Sequence, residues 1–299
     1  MFSTIRRSLL KKSRSFSSKV AFVRPPPLNF NEGITMHSQN ESTSHTTAMN
    51  QWEGYCEALS RHGWTLHTVG DAPRTCPDSV FVEDTAIVFQ TDMKKNPNSK
   101  GNIAIISHSM GAEQRRGEVP SMEIAINGKK EELFDRIEYL TPGPDKNCHL
   151  DGGDVLKCPA SKTVYVGITA RTTIGGINQL QEILKPEGYK VIGIPTNIVL
   201  HLKSNVTALP CGTVIGYEPI VDDSSLYDKF MAMPEEGGAH VVLLDNAMKD
   251  SKNLLMSSAA PLSKKLLESL GYNVETVDIG EFEKYDGCVT CLSVRVRTP

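Results

Sequence analysis

The chain has 299 residues, 39% of them hydrophobic and 22% charged, with a formal net charge of −3. That length can bury a substantial core in one large domain or two small ones. No run of 18 uncharged apolar residues occurs, which excludes a membrane-spanning helix, and the charge balance gives no reason to expect nucleic acid as a partner.

Charge is uneven along the chain. Residues 1–19 hold Arg6, Arg7, Lys11, Lys12, Arg14 and Lys19, and the first acidic residue is Glu32. Without those six, the body has 26 basic against 35 acidic residues, a net of −9. Phe2, Ile5 and Leu9 share one helical face among basic and hydroxylated positions, the composition of a mitochondrial presequence. The run 14–18 (Arg-Ser-Phe-Ser-Ser) resembles a processing site. The expectation is a leader over 1–18 with a mitochondrial address, or a cytoplasmic protein if the basic tail carries none. A single domain over 19–299 follows. Seven cysteines (56, 76, 148, 158, 211, 288 and 291) at irregular spacing argue against a secreted disulfide framework and fit a reducing compartment.

In chain order, Val20–Arg24 reads as a strand stopped by Pro25, Pro26 and Pro27. Met49, Trp52, Cys56 and Leu59 fall on one face of a helix that Gly63 ends. Phe81–Phe89 and Asn102–Ser107 are strand-like, 96–100 is a polar loop, and 141–147 is a turn-rich connection. Lys162–Ile168 is a strand, followed by a helix burying Ile174, Ile177, Leu180 and Leu184. Strands are also expected at Val191–Ile194, Asn205–Leu209, Thr213–Tyr217 and His240–Leu244. Leu262, Leu266 and Leu270 line a last helix between Pro261 and Gly271, and Val289–Val296 is the last strand. Alternating strands and helices give an α/β fold. Five segments, near 83, 153, 205, 240 and 288, share an acid, Gly or Cys turn running into an apolar strand, a hint of five modules. No Gly-rich nucleotide-binding turn is present.

Three segments carry candidate chemistry. Asp78, Glu83 and Asp84 crowd three carboxylates ahead of a buried strand. Unpartnered buried carboxylates cost several kcal/mol or take up protons, so a cation is needed there. A ligand guanidinium, planar and bidentate, suits that need, although internal basic residues or turn capping would also satisfy it. His149-Leu-Asp151-Gly-Gly-Asp154 sets two glycines between acids, allowing close backbone approach, as an ordinary turn also would. Cys288 and Cys291 form a CxxC, but no second pair completes a zinc set and no strand–CxxC–helix context suits redox work. The more economical reading makes Cys291 a nucleophile and His201, from Leu200-His201-Leu202, its acid/base partner.

The segments FVEDTAIV, LDGGDV, LHLKS and GCVTCLSV, in that order and spacing, resemble the dimethylarginine dimethylaminohydrolases. The resemblance covers most of the chain from Lys19 onward. It implies a pentein, a five-bladed α/β propeller of ββαβ units around a central active-site channel. It also implies hydrolysis of asymmetric dimethylarginine or monomethylarginine to citrulline and an amine, and with that a part in arginine metabolism and nitric oxide regulation. On that pattern Cys291 is the nucleophile, forming a thiouronium, His201 the general acid/base, and Asp151 the carboxylate orienting it. Asp78, Glu83 and Asp84 surround the substrate, with Asp84 on its guanidinium. Arg171 and Arg115 (or, one place on, Arg116) hold the α-carboxylate. The partner is a small guanidine amino acid, with no nucleic acid or membrane. No metal or organic cofactor is expected, although zinc on Cys291 and His201 would inhibit. Segment 25–40, where a lid would lie, has no secure alignment. An arginine deiminase or amidinotransferase, and more distantly a non-catalytic pentein binding module, are the competing readings.

Overall fold

The computed structural model describes residues 18–36, 43–91, 99–108, 110–144 and 146–298. The expected leader lies outside these residues except for Ser18, as do parts of the lid segment (37–42) and of the polar loop (92–98).

Among the described residues, short apolar runs bounded by turn residues form fifteen strands, which group by threes into five separate sheets. The strands are β1 (Lys19–Val23), β2 (Trp64–Thr68), β3 (Ala86–Gln90), β4 (Asn102–Ser107) and β5 (Arg136–Leu140). Next come β6 (Val155–Lys157), β7 (Thr163–Ile168), β8 (Lys190–Pro195), β9 (Val206–Ala208) and β10 (Val214–Gly216). The last are β11 (Phe230–Ala232), β12 (Val242–Leu243), β13 (Asn253–Ser257), β14 (Asn273–Val277) and β15 (Val294–Arg297).

Every sheet repeats one pattern. A middle strand pairs antiparallel with one neighbour and parallel with the other, as β4 does with β3 and β5. A parallel pair needs a crossover. Helices His45–Arg61, Val119–Asn127, Ile174–Leu184 and Pro261–Ser269 supply it in four sheets. Between β10 and β11 only short 3-10 turns do so. The first sheet is completed by the last strand: β15 pairs antiparallel with β1, setting Val20 against Val296. Ser18 extends that closure, its N–H donating to the Thr298 hydroxyl at 2.9 Å. This is the expected five-bladed pentein, with four blades strand–strand–helix–strand and the β9–β10–β11 blade lacking the helix.

The helices pack outside and bury one face each. Thr173 caps the helix Ile174–Leu184 by accepting from the Gly176 N–H, and Leu180 and Leu184 are fully buried. Ile174, expected on that face, is 54% exposed, because the buried stripe begins one turn later. The last long helix differs likewise: Ser263 and Leu267 face inward, while Leu262 and Leu270 are about half exposed.

Two boundary corrections bear on function. Residues 81–85, read as strand, form a 3-10 turn over Val82–Thr85 that only then enters β3. Residues 289–293 form a turn ahead of β15 rather than its first half. The same happens before β6, β9 and β12, where 3-10 turns cover Gly152–Asp154, Leu202–Ser204 and Glu236–Ala239. The five recurring turn segments are therefore the starts of the five innermost strands.

Candidate active site

All five opening turns carry titratable side chains, and bonds from backbone N–H groups tie four of them to one another. The Glu83 N–H donates to the Cys291 carbonyl at 3.2 Å, the Gly153 N–H to Asp84 Oδ1 at 2.8 Å, and the Leu202 N–H to Asp154 Oδ1 at 2.8 Å. Glycine is required at 153. A Cβ there would lie 2.5 Å from Asp84 Oδ1 and 2.8 Å from His201 Nδ1. The two glycines thus allow the acid turn and the histidine turn to close on one another.

His201 is 6% exposed, between two carboxylates. Its Nε2 is 3.2 Å from Asp151 Oδ2, and its Nδ1 is 3.9 Å from Asp84 Oδ1. Asp151 is fixed in turn by the Gly111 N–H at 2.9 Å. Burial works against the imidazolium, but Asp84, Asp151 and Asp154 outweigh it and hold His201 up at about 9. Asp84 shows the converse: burial would raise it, yet His201, Arg115 and Lys203 keep it near 2. Asp154 supports the pair from behind. It accepts from the Thr169 and Thr172 hydroxyls at 2.8 and 2.6 Å, and burial raises it to about 6.

Cys291 is half-buried in the turn before β15, and its sulfur lies 3.4 Å from that of Cys288. The proton shared with Cys288, then burial and the charges of Cys288, Glu83 and Asp84, push the Cys291 thiol up. Cys288 moves down, because the bond from Cys291 overcomes burial and His240 and Thr290 assist. The two carboxylates add to the cost of a further negative charge beside them.

The acidic triple is not left to a ligand cation, as the sequence alone had allowed. Glu83 is met by Lys203 at 2.5 Å, by Arg295 at 3.4 Å and by the Thr290 hydroxyl at 2.9 Å. Arg115, expected on a ligand carboxylate, is instead 3% exposed and committed internally. It bonds Asp84 Oδ2 at 2.5 Å, both oxygens of Glu118 at 2.8 Å, and the carbonyls of Asp78 and Phe81. Arg116 donates to the Met110 carbonyl and is partly exposed. Arg171 differs: its Nη1 is buried, 3.8 Å from Asp151 Oδ2, without a hydrogen bond among the described residues. Asp78 is 3% exposed, and burial raises its carboxyl. Its Oδ1 accepts from the Ile34 N–H at 3.0 Å, whereas its Oδ2 has no partner among the described residues. That bond anchors the segment expected to form the lid, and the Met36 N–H holds it again on Asp286 at 2.8 Å.

Lys203, Arg295, Asp154, Glu118 and Cys288 were not singled out as site members by sequence reasoning. The spacing His201-Leu-Lys203 was legible, but nothing in it shows that Lys203 reaches Glu83. Among the described residues no group of three or more His, Cys, Asp or Glu side chains is arranged to hold a metal ion.

The model of the family described as "N,N dimethylarginine dimethylhydrolase, eukaryotic" matches residues 29–208. The N(G),N(G)-dimethylarginine dimethylaminohydrolase of Streptomyces coelicolor is 45% identical over 281 residues, covering 94% of this chain and 98% of its own. The chain belongs to the dimethylarginine dimethylaminohydrolase family.

The Pseudomonas aeruginosa member is 27% identical over 93% of the chain and 99% of its own length. A solved Cys→Ser variant of the Pseudomonas aeruginosa enzyme, complexed with citrulline, superposes with a TM-score of 0.74 at 25% identity, covering 94% of this chain and all of that one. A His→Gly family member carrying an adduct with S-methyl-L-thiocitrulline gives 0.76 at 26% identity, covering 93% and 99%. In a family fold of this kind the turns of five blades meet on one axis, which explains why its short motifs lie so far apart in sequence.

Proposed function

We propose that this chain hydrolyses Nω-methylated arginines, asymmetric dimethylarginine and monomethylarginine, to citrulline and dimethylamine or methylamine. Similarity to the Streptomyces coelicolor enzyme across nearly the whole chain supports the substrate class. The observation that carries the chemistry is the contiguous row Asp151–His201–Asp84, with the charge of Asp84 felt at the Cys291 thiol.

In this reading the substrate guanidinium enters beside Asp84, and the unpartnered Oδ2 of Asp78 adds a further acceptor. Arg171, with Nη1 uncommitted, takes the α-carboxylate. Arg115 positions Asp84 rather than touching substrate. The bound cation offsets the charge of Glu83 and Asp84, so Cys291 releases its proton to solvent as the complex forms. Its thiolate attacks the guanidinium carbon to form a C–S bond and a tetrahedral adduct. Orientation of this kind contributes up to about 7–11 kcal/mol. His201, protonated and held by Asp151, gives its Nδ1 proton to the methylated nitrogen as the C–N bond breaks. The amine departs and leaves an S-alkyl thiouronium. His201, now neutral, takes a proton from water, which attacks that carbon; the C–S bond breaks, citrulline forms and the thiol is restored. Such acid/base assistance is worth about 10²–10⁴-fold. The adduct and the citrulline complex of the two solved relatives correspond to the middle and the end of this sequence.

The test is to incubate the protein separately with dimethylarginine and arginine and identify the amine released. Dimethylamine with citrulline is expected. Ammonia from arginine at a comparable rate would make the protein a deiminase instead.

The pH dependence has a definite sign. His201 must carry a proton to release the amine, so kcat/KM, which reports the free enzyme, should fall on an alkaline limb centred near 9. Asp151→Asn removes a charge that raises His201, so the limb should move to lower pH. A limb that stays where it was in the Asp151→Asn enzyme would show that Asp151 does not act on this group.

The mitochondrial leader belongs to the same reading and rests on residues 1–18 alone. No helix among the described residues is long and apolar enough to cross a membrane.

A further inference from the structure

Behind Glu83 the innermost strands of the five blades, β3, β6, β9, β12 and β15, wall a cavity of about 90 Å³ on the channel axis. Its upper wall is shared with the catalytic turns through Glu83, Lys203 and Thr290. Further along the strands it is lined by Lys157, Arg295 and Arg297, and these three also line an adjoining cavity of about 390 Å³.

The charges here do not balance. Four cationic side chains, Lys157, Lys203, Arg295 and Arg297, surround one lining carboxylate, Glu83, which Lys203 and Arg295 already occupy. Lys157 makes no ion pair among the described residues; its Nζ donates to the Val88 carbonyl at 2.9 Å and leaves two N–H groups over. Arg297 is 7% exposed and lies against the Trp64 ring. It donates to the carbonyls of Asp245 and Leu243 rather than to a carboxylate. The Asp245 side chain is taken up by Ser251, Lys252 and Asn253. Burying like charges together is unfavourable unless a counter-charge joins them. Lys157 responds to these neighbours: burial, and then Lys203, Arg295 and Arg297, bring it down to about 7.

We propose that the channel behind Glu83 holds a second binding site, for one small inorganic anion of the chloride or sulfate kind, between Lys157, Arg295 and Arg297. The small cavity admits a compact anion, and a positively lined pocket with low-dielectric walls favours negative charge. The site is separate from the reacting atoms, and its occupancy does not depend on the protein's activity. Binding has a signature of its own. An anion raises the affinity of Lys157 for its proton, so above pH 7 the protein takes up protons as the anion enters.

Calorimetric titration of the full chain with sodium sulfate at pH 8 and constant ionic strength tests this, run in two buffers of different ionisation enthalpy. One saturable site with net proton uptake is expected. Lys157→Met, close in volume and uncharged, should bind sulfate at least tenfold more weakly and without uptake. Lys157→Arg should keep the affinity but lose the uptake, because a guanidinium stays protonated. No saturable heat in the wild type would overturn the proposal. So would equal binding by folded Lys157→Met, as judged by its circular dichroism. A bromide soak supplies a second reading: one anomalous peak among these three side chains is expected, and peaks only elsewhere reject the site.

Discussion

Cys291→Ser should lose at least about 10⁴-fold in dimethylarginine turnover while remaining folded. The size of the loss follows from the charge state of the site. A serine hydroxyl becomes a nucleophile only if a neighbour takes its proton, and the neighbour here is a histidine held at about 9. At neutral pH that imidazole is already protonated and cannot accept another proton. A thiol escapes the difficulty because a bound cation alone lowers it far enough to ionise. The structural cost is small, since Cys291 is half-buried and serine differs by one atom; stability should change by about 1 kcal/mol or less. Amine release and a thermal midpoint measure the two effects. His201→Gly separates the steps further with S-methyl-L-thiocitrulline, whose methylthiol leaving group needs no proton from an imidazole: the thiolate can still attack, but the thiouronium has no base to activate water. Intact mass should then show a protein carrying a covalent adduct. Turnover by the Cys291→Ser protein at wild-type rates would remove the nucleophile from the mechanism altogether.

The parts of the site legible in the sequence were those where a reactive side chain sits beside a glycine or in an apolar run. His201 between leucines and Asp151 beside two glycines are of that type, and the structure brings both against Asp84. The five-fold repeat was visible as a turn preceding each inner strand. Strands β2, β5, β6, β11, β13 and β14 were missed; β6 and β11 have only three residues each, and the others are short runs that mix polar and apolar residues. Arg136–Leu140, for example, has only Leu140 buried. The Cys288–Cys291 pair was set aside as a motif, and the spacing gave no hint that the two sulfurs lie within hydrogen-bonding distance at 3.4 Å. Long-range ion pairs were the least legible of all. Lys203 on Glu83 and Arg115 on Asp84 join residues 120 and 31 positions apart. No periodicity records such a pairing; it depends on the closure of the propeller.

Arg115 is where sequence and structure part most sharply, and the difference is measurable. If it held the substrate's α-carboxylate, Arg115→Met would raise KM and leave stability nearly unchanged. The structure gives it another task. Both of its ion-pair partners are almost wholly buried, with side-chain exposures of 4% for Asp84 and 0% for Glu118. Removing one member of such a network leaves charge without a partner, which typically costs about 3–5 kcal/mol. Methionine fills much of the space, so the loss is electrostatic rather than a cavity. The sign with pH follows. In the wild type Asp84 is depressed to about 2, so it contributes stability above the ordinary carboxylate range, and that contribution is lost as pH falls through about 2. Glu118 is raised by burial even beside Arg115, so its ionisation already opposes folding as pH rises above the unfolded value. Without the guanidinium, Asp84 moves up and Glu118 further up. The deficit of the variant should therefore be largest near pH 7.5 and shrink towards pH 5, where Glu118 can hold a proton. Urea unfolding of the two proteins at those two pH values reads it directly. A variant as stable as the wild type at pH 7.5, with its defect confined to KM, would return Arg115 to the substrate.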